Sequence, residues 1–269
     1  MTAMNGIDVE VVETSSLGDR SYLAHDGQVA VVVDPQRDID RVLALAGRLG
    51  VRITHVAETH LHNDYVSGGL ALAKLTGARY LIAAADEVGF DRLPVADGDR
   101  VSVSEAMRLR VVATPGHTFH HLSFVLHTPD GPAGVFTGGS LLFGTTGRTD
   151  LLGGQHAHAL AGRQHESVRR LADLLPDGAR VWPTHGFGSF CSATQSDASA
   201  STVGRERQGE PGAAPGDRRV RYRNPRRTGP VPGVLRAHGG PERRGCRPDR
   251  PHPGPAGGPG RVARPDRRR

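Results

Sequence analysis

A change in composition, abrupt after Arg207 and with the body bounded at residue 203, decides which part of this 269-residue chain can build a core. From Gly204 to Arg269 there are 25 Gly plus Pro among 66 residues, and the large apolar residues are only Val220, Tyr222, Val231, Val234, Leu235 and Val262. A segment so poor in apolar side chains cannot bury enough surface to offset its conformational entropy, so 204–269 is expected to be a disordered Arg/Gly/Pro-rich tail. The fold must then come from residues 1–203 as one domain. Charge divides at the same point. Residues 1–203 hold 16 Lys plus Arg against 22 acidic residues, whereas 204–269 hold 18 Arg against 6. The formal net charge of +6 therefore belongs to the tail, and a nucleic-acid-binding body is not expected. Three readings fit the tail: out-of-frame translation of a GC-rich gene, a natural disordered extension, or an arginine-rich arm. The last lacks regular RGG or RS repeats.

No stretch approaches the roughly 18 uninterrupted apolar residues of a membrane helix. Met1–Glu13 lacks the basic start and apolar run of a secretory signal. Two cysteines, Cys191 and Cys246, cannot form a disulfide framework, so the expected compartment is a reducing cytoplasm. Within the body, β-branched and apolar runs predict strands at Val29–Val33, Ile53–Ala57, Ala78–Ala84, Leu109–Ala113, His121–Leu126, Gly134–Thr137 and Ala179–Trp182. Apolar positions at Ile39, Val42, Leu43, Ala46 and Leu49 predict a helix capped by Asp38 and closed at Gly50. Further helices are predicted at Gly69–Leu75 and Gln164–Leu175. Strands and helices mixed over about 200 residues imply a layered α/β domain.

Three of those strands run out into histidine. Ile53–Ala57 leads to Thr59-His60-Leu61-His62-Asn63-Asp64-Tyr65, Leu109–Ala113 to Pro115-Gly116-His117-Thr118, and Ala179–Trp182 to Thr184-His185-Gly186. In extended chain, residues i and i+2 share a side, so His60 and His62 can face one ion, with Asp64 continuing that side to ligate or orient. Strand-end loops are how a rigid sheet presents ligands at one edge, so His60, His62, His117 and His185 are the candidate metal ligands. His120, His121, His156, His158 and His165 are expected to be structural or solvent-facing. Cys191 is expected to be a small buried residue.

These motifs, in this order and together with Phe136-Thr137-Gly138 and Gly147-Arg148-Thr149-Asp150, resemble those of the metallo-β-lactamase superfamily over about residues 10–203. The stretch Glu58-Thr59-His60 with Arg148 and Asp150 is most similar to the persulfide dioxygenase branch, close to glyoxalase II. The resemblance implies an αββα sandwich with its site at one edge of two packed sheets. It also implies one Fe(II), with Zn(II) as the alternative, and a small thiol persulfide oxidised to sulfite, or a thioester hydrolysed. A homodimer is the assembly left open. It places Arg148 and Asp150 beside the substrate, where the arginine would pair with a carboxylate; a plain loop-holding Arg–Asp pair is the other reading.

Two positions depart from the family. Gly139 stands where the Thr-Gly-Asp motif has its metal-binding aspartate, and Tyr65 stands where the His-x-His-x-Asp-His motif has its last histidine. What survives is a three-imidazole set, His60, His62 and His117, with Asp64 and Tyr65 as candidate catalytic side chains. Tyr65 would donate to substrate or oxygen, or pack as an ordinary aromatic. A catalytically impaired metal-binding scaffold is the remaining reading.

Overall fold

The computed structural model describes residues 6–186, 188–193 and 198–209. Two six-stranded sheets form it. The first contains β1 (Asp8–Thr14), β2 (Asp19–His25), β3 (Val29–Val33), β4 (Arg52–Ala57), β5 (Arg79–Ala83) and β6 (Leu93–Val95), in spatial order 1-2-3-4-5-6. The second contains β7 (Arg100–Ser102), β8 (Arg108–Ala113), β9 (Leu122–Thr128), β10 (Gly131–Gly138), β11 (Arg180–Pro183) and β12 (Ser201–Thr202), in order 12-11-10-9-8-7. Helices α1 (Asp40–Leu49) and α2 (Gly69–Thr76) connect the parallel pairs β3–β4 and β4–β5. Helix α3 (Gly154–Leu174) connects the parallel pair β10–β11, and α4 (Val203–Gly209) follows β12.

Side-chain alternation builds four layers from these elements. On β3, Val31 and Val33 point into a core shared with Leu109, Val111, Phe124, Phe136 and Trp182 of the other sheet. Ala30 and Val32 point the opposite way, onto Val42 and Ala46 of α1 and Leu72 of α2. Val112, Val125 and Val135 on the outer face of the second sheet pack on Val168 and Leu171 of α3 and on Val203. This is the expected αββα sandwich. Among the described residues, no helix is long and apolar enough to cross a membrane.

Three expectations change. Asp38 does not cap α1: Ile39 holds the N-cap position, and the Asp38 carboxylate pairs with Arg41 at 3.2 Å. Helix α3 begins ten residues before the predicted Gln164, because its first turns carry alanine, histidine and glycine without an apolar stripe. The body also continues past 203: Val203–Gly209 is helical, with Val203 and Glu206 buried. The rest of the expected tail, 210–269, lies outside the described residues.

Candidate metal centre

The donors gather where the two sheets are stitched together at one edge. Leu122 N–H donates to Thr59 O at 2.7 Å, Thr184 N–H to Gly138 O at 3.0 Å, and Arg20 N–H to Thr184 O at 2.8 Å. The loops leaving β4, β8 and β11 are thereby brought to one place, and their histidines meet. The His60 ring lies 4.1 Å from His62, 4.8 Å from His117 and 5.2 Å from His185, centroid to centroid. His60 Nε2 and His185 Nε2 are 3.2 Å apart. His185 is the hub: it forms one close set with His60 and His62, another with His117 and Cys191, and a third with Asp19 and Asp64, each within 4.8 Å. The expected trio of His60, His62 and His117 is thus joined through His185 rather than closed on itself.

Each imidazole is oriented by a partner on its other nitrogen. His117 Nδ1–H donates to Arg148 O at 2.8 Å, which leaves Nε2 as a buried lone pair with no protein partner. His185 Nδ1 faces Asp19 Oδ1 at 3.0 Å and Asp64 Oδ2 at 3.3 Å. His62 Nε2 lies 3.3 Å from Asp34 Oδ1, 3.2 Å from Glu58 Oε2 and 3.0 Å from the Tyr65 hydroxyl, leaving Nδ1 buried and unpartnered. Fixing one nitrogen this way aims the other and raises its basicity toward a metal.

Electrostatics separates the rings. Burial, reinforced by the neighbouring imidazoles, holds His60 far below the ordinary histidine range and His117 at about 3. Both are neutral, as ligands must be. Burial opposes charge on His62 as well, but Asp34 and Glu58 overcome it and raise that ring to about 10, so His62 carries a proton that a cation would have to displace in order to bind it. Asp34 is buried too, yet His62, Thr184 and Thr59 hold its carboxyl down to about 2. Burial raises Asp19, while His185 and His62 keep Asp64 low despite its own burial. Burial and the Asp64 and Asp19 carboxylates push the Cys191 thiol up.

His117 Nε2, His62 Nδ1, Asp19 Oδ2 and Asp64 Oδ1 are buried without a hydrogen-bond partner, and their residues belong to the close sets that share His185. Buried polar atoms without partners are costly, and a divalent cation would satisfy this set. The residues present therefore fit a metal.

The other predicted site residues are held by protein partners. The Tyr65 ring stacks on His62 at 4.3 Å, and its hydroxyl also reaches Asp34 O at 3.4 Å. Arg148 and Asp150 form a two-point pair, Nε–Oδ1 and Nη2–Oδ2 both 2.9 Å, and the guanidinium lies 4.5 Å over the Phe190 ring. That geometry holds the loop together and commits the Nε/Nη2 edge of the guanidinium, while the Nη1/Nη2 edge makes no part of the pair. His121 is structural as expected, but it is fully buried, taking the Gly139 N–H on Nε2 at 3.1 Å and stacking 4.9 Å from His60. At Gly139 a Cβ would lie 2.2 Å from His117 Cδ2, so the His117 ring occupies the space a side chain at 139 would need.

Sequence reasoning missed Asp19, Asp34 and Glu58, whose partners lie up to 166 residues away. Only Asp34 carried a local signal: an acidic residue ending a wholly apolar strand before proline.

Residues 20–185 match the metallo-beta-lactamase superfamily. The chain is 31% identical over 189 residues to the hydroxyacylglutathione hydrolase of Trichormus variabilis, covering 66% of this chain and 69% of that protein. It is also 31% identical over 183 residues to the mitochondrial persulfide dioxygenase ETHE1 of Homo sapiens, covering 67% and 66%. Among solved structures it is similar to a metallo-beta-lactamase from Staphylococcus aureus subsp. aureus COL, with a TM-score of 0.71 at 30% identity, covering 79% of this chain and 65% of that one. ETHE1 from Myxococcus xanthus gives a TM-score of 0.63 at 29% identity, covering 76% and 83%. The chain thus spans about two thirds of the length of the two curated relatives, 69% and 66%.

Proposed function

Since the chain belongs to the metallo-β-lactamase superfamily, we propose that it is a mononuclear-metal enzyme that oxidises a low-molecular-weight thiol persulfide to sulfite. The observation carrying this reading is the set of buried donor groups that share His185: His60 with His62 on one side, His117 on another, and the Asp64 carboxylate beside it. Imidazoles with one carboxylate are the donor mixture that suits Fe(II) in oxygen chemistry. Fe(II) would supply the electron transfer and Lewis acidity that no side chain here can provide.

The chain's own residues do the rest. Asp19, Arg148 O, and Asp34 with Glu58 hold the three rings of His185, His117 and His62 in fixed orientations. Asp64, kept ionised by His185 and His62, is placed to accept a proton beside them. Exposed Leu61, Phe119 and Phe190 lie on the same loops as the donors and offer apolar surface to the organic part of the thiol. The overall change converts one persulfide anion, one dioxygen and one water to free thiol, sulfite and a proton.

A Zn(II) thioester hydrolase is the second reading, and the Asp19–Asp64 pair favours it. Burial raises one carboxyl and the imidazoles depress the other, the division of labour an acid–base pair needs. In that case Zn(II) would lower the pKa of a bound water toward ~7. Metal analysis together with an oxygen-electrode trace on glutathione persulfide tests the choice. Iron and persulfide-dependent oxygen uptake support the dioxygenase. Zinc with cleavage of a glutathione thioester and no uptake replaces it with the hydrolase. Bound metal with neither activity leaves a scaffold.

A further inference from the structure

We propose that Cys191 is a ligand of this metal centre, its sulfur standing in for the carboxylate that position 139 does not supply. The inference rests on the metal-enzyme reading and adds a donor to it. Cys191 is 1% exposed, and its sulfur forms a set within 4.8 Å with nitrogen atoms of His117 and His185. His117 Nε2 is buried without a protein partner, and its Nδ1 is already committed to Arg148 O. The neighbouring nitrogen on this side therefore has its lone pair free for a cation.

The backbone holds the thiol to this position by the same loop that holds His117. Arg148 accepts from His117 through its carbonyl, and its N–H donates to Cys191 O at 2.8 Å. Gly147 and Ser192 form a β-bridge, Ala193 N–H donates to Thr146 O at 2.9 Å, and Cys191 N–H donates to Ser189 Oγ at 3.2 Å. A residue at 139 cannot provide the donor, because the His117 ring fills that space. Two imidazoles and a thiolate suit Zn(II) and Fe(II) alike. On binding, the S–H bond breaks, the proton leaves to Asp64 or solvent, and the sulfur lone pair goes to the metal.

The test is cobalt substitution of the full-length chain carrying Cys246→Ser, so that only one thiol remains. Bound Co(II) should show a near-ultraviolet thiolate charge-transfer band that disappears in Cys191→Ser, with metal affinity lower by at least ~10-fold. In the same protein, metal should also slow alkylation of Cys191 by iodoacetamide, a readout that needs no change at position 191. A stoichiometric Co(II) complex with no such band, or unprotected alkylation, overturns the role of Cys191 while leaving the imidazole centre standing. Failure to bind Co(II) at all, in protein shown folded by circular dichroism, removes the centre and this ligand with it.

Discussion

Asp34 has φ +52°, a left-handed conformation that costs a residue with a Cβ about 1–2 kcal/mol. The carboxylate explains why it is kept. It accepts Thr59 N–H and the Thr59 hydroxyl, both at 2.7 Å, and the Thr184 hydroxyl, so it ties the loops carrying His60 and His185 while facing His62. Asparagine tolerates the same backbone but carries no charge. Asp34→Asn should therefore weaken metal binding by ~10–100-fold, read by competition with a chelator. Stability should fall by ~1–3 kcal/mol in denaturant unfolding. Gly139 makes the opposite kind of demand, for absence of a side chain. Restoring the family's carboxylate with Gly139→Asp should not rebuild a ligand set, because Cβ would collide with the His117 ring. The expected outcome is lower metal content, with ~1–3 kcal/mol lost to overpacking. Both residues show how far the site was legible. His60, His62, His117 and His185 were readable because each follows a strand of local, apolar pattern. The carboxylates that orient them were less so: Asp19 acts on His185, 166 positions away, with nothing in its own neighbourhood to mark it, and the position of Asp34 at the end of an apolar strand did not show that it reaches His62 and Thr184.

Among the elements, α3 has a task that its sequence shows only in part. Gln164, Ser167 and Arg170 recur every three residues and so share a face. Gln164 Nε2 donates to Gly139 O at 3.2 Å and to Ser140 O, Ser167 Oγ to Pro115 O at 2.8 Å, and Arg170 Nη1 to Ala113 O at 3.1 Å. The helix thus grips the loop of His117 and the Gly138–Ser140 turn beneath it. Val168 and Leu171 on the adjoining face pack into the sheet, and that apolar spacing is what revealed the helix from Gln164 onward. Polar contacts to distant carbonyls leave no such period. Gln164→Met keeps the volume but removes the donors. It should cost ~1–3 kcal/mol and speed amide exchange at Gly116 and Thr118 more than in α1, by hydrogen-exchange mass spectrometry. A variant that exchanges evenly throughout would show that the helix only packs. Strands β1 and β2 illustrate the opposite failure. Asp19–His25 is buried along its whole length, including Asp19, Arg20 and Ser21, so no alternation of apolar and polar residues announces it.

At the scale of the whole molecule, the composition break located the end of the folded body a few residues early, and the reason is specific. Arginine, glycine and glutamate in 204–209 look like the sequence that follows, yet they close the outer layer over α3. Val203 joins the apolar cluster there, and its N–H donates to Ala179 O at 2.9 Å. Glu206 Oε2 accepts Gly144 N–H at 2.7 Å, and Arg207 reaches Asp177 and the carbonyls of Ala172 and Leu175. A charged hydrogen bond to a buried backbone N–H is worth ~1.5–3 kcal/mol. The half-exposed Arg207–Asp177 pair adds at most ~1 kcal/mol. A chain ended after Val203 should therefore lose ~2–3 kcal/mol, which lowers Tm by ~4–10 °C for a domain of about 200 residues. One ended after Gly209 keeps every contact described above, and should melt within ~2 °C of the full-length protein and bind the same amount of metal. If both shortened chains melted equally early, residues beyond 209 would have to contribute packing that a sequence so poor in apolar side chains gives no reason to expect.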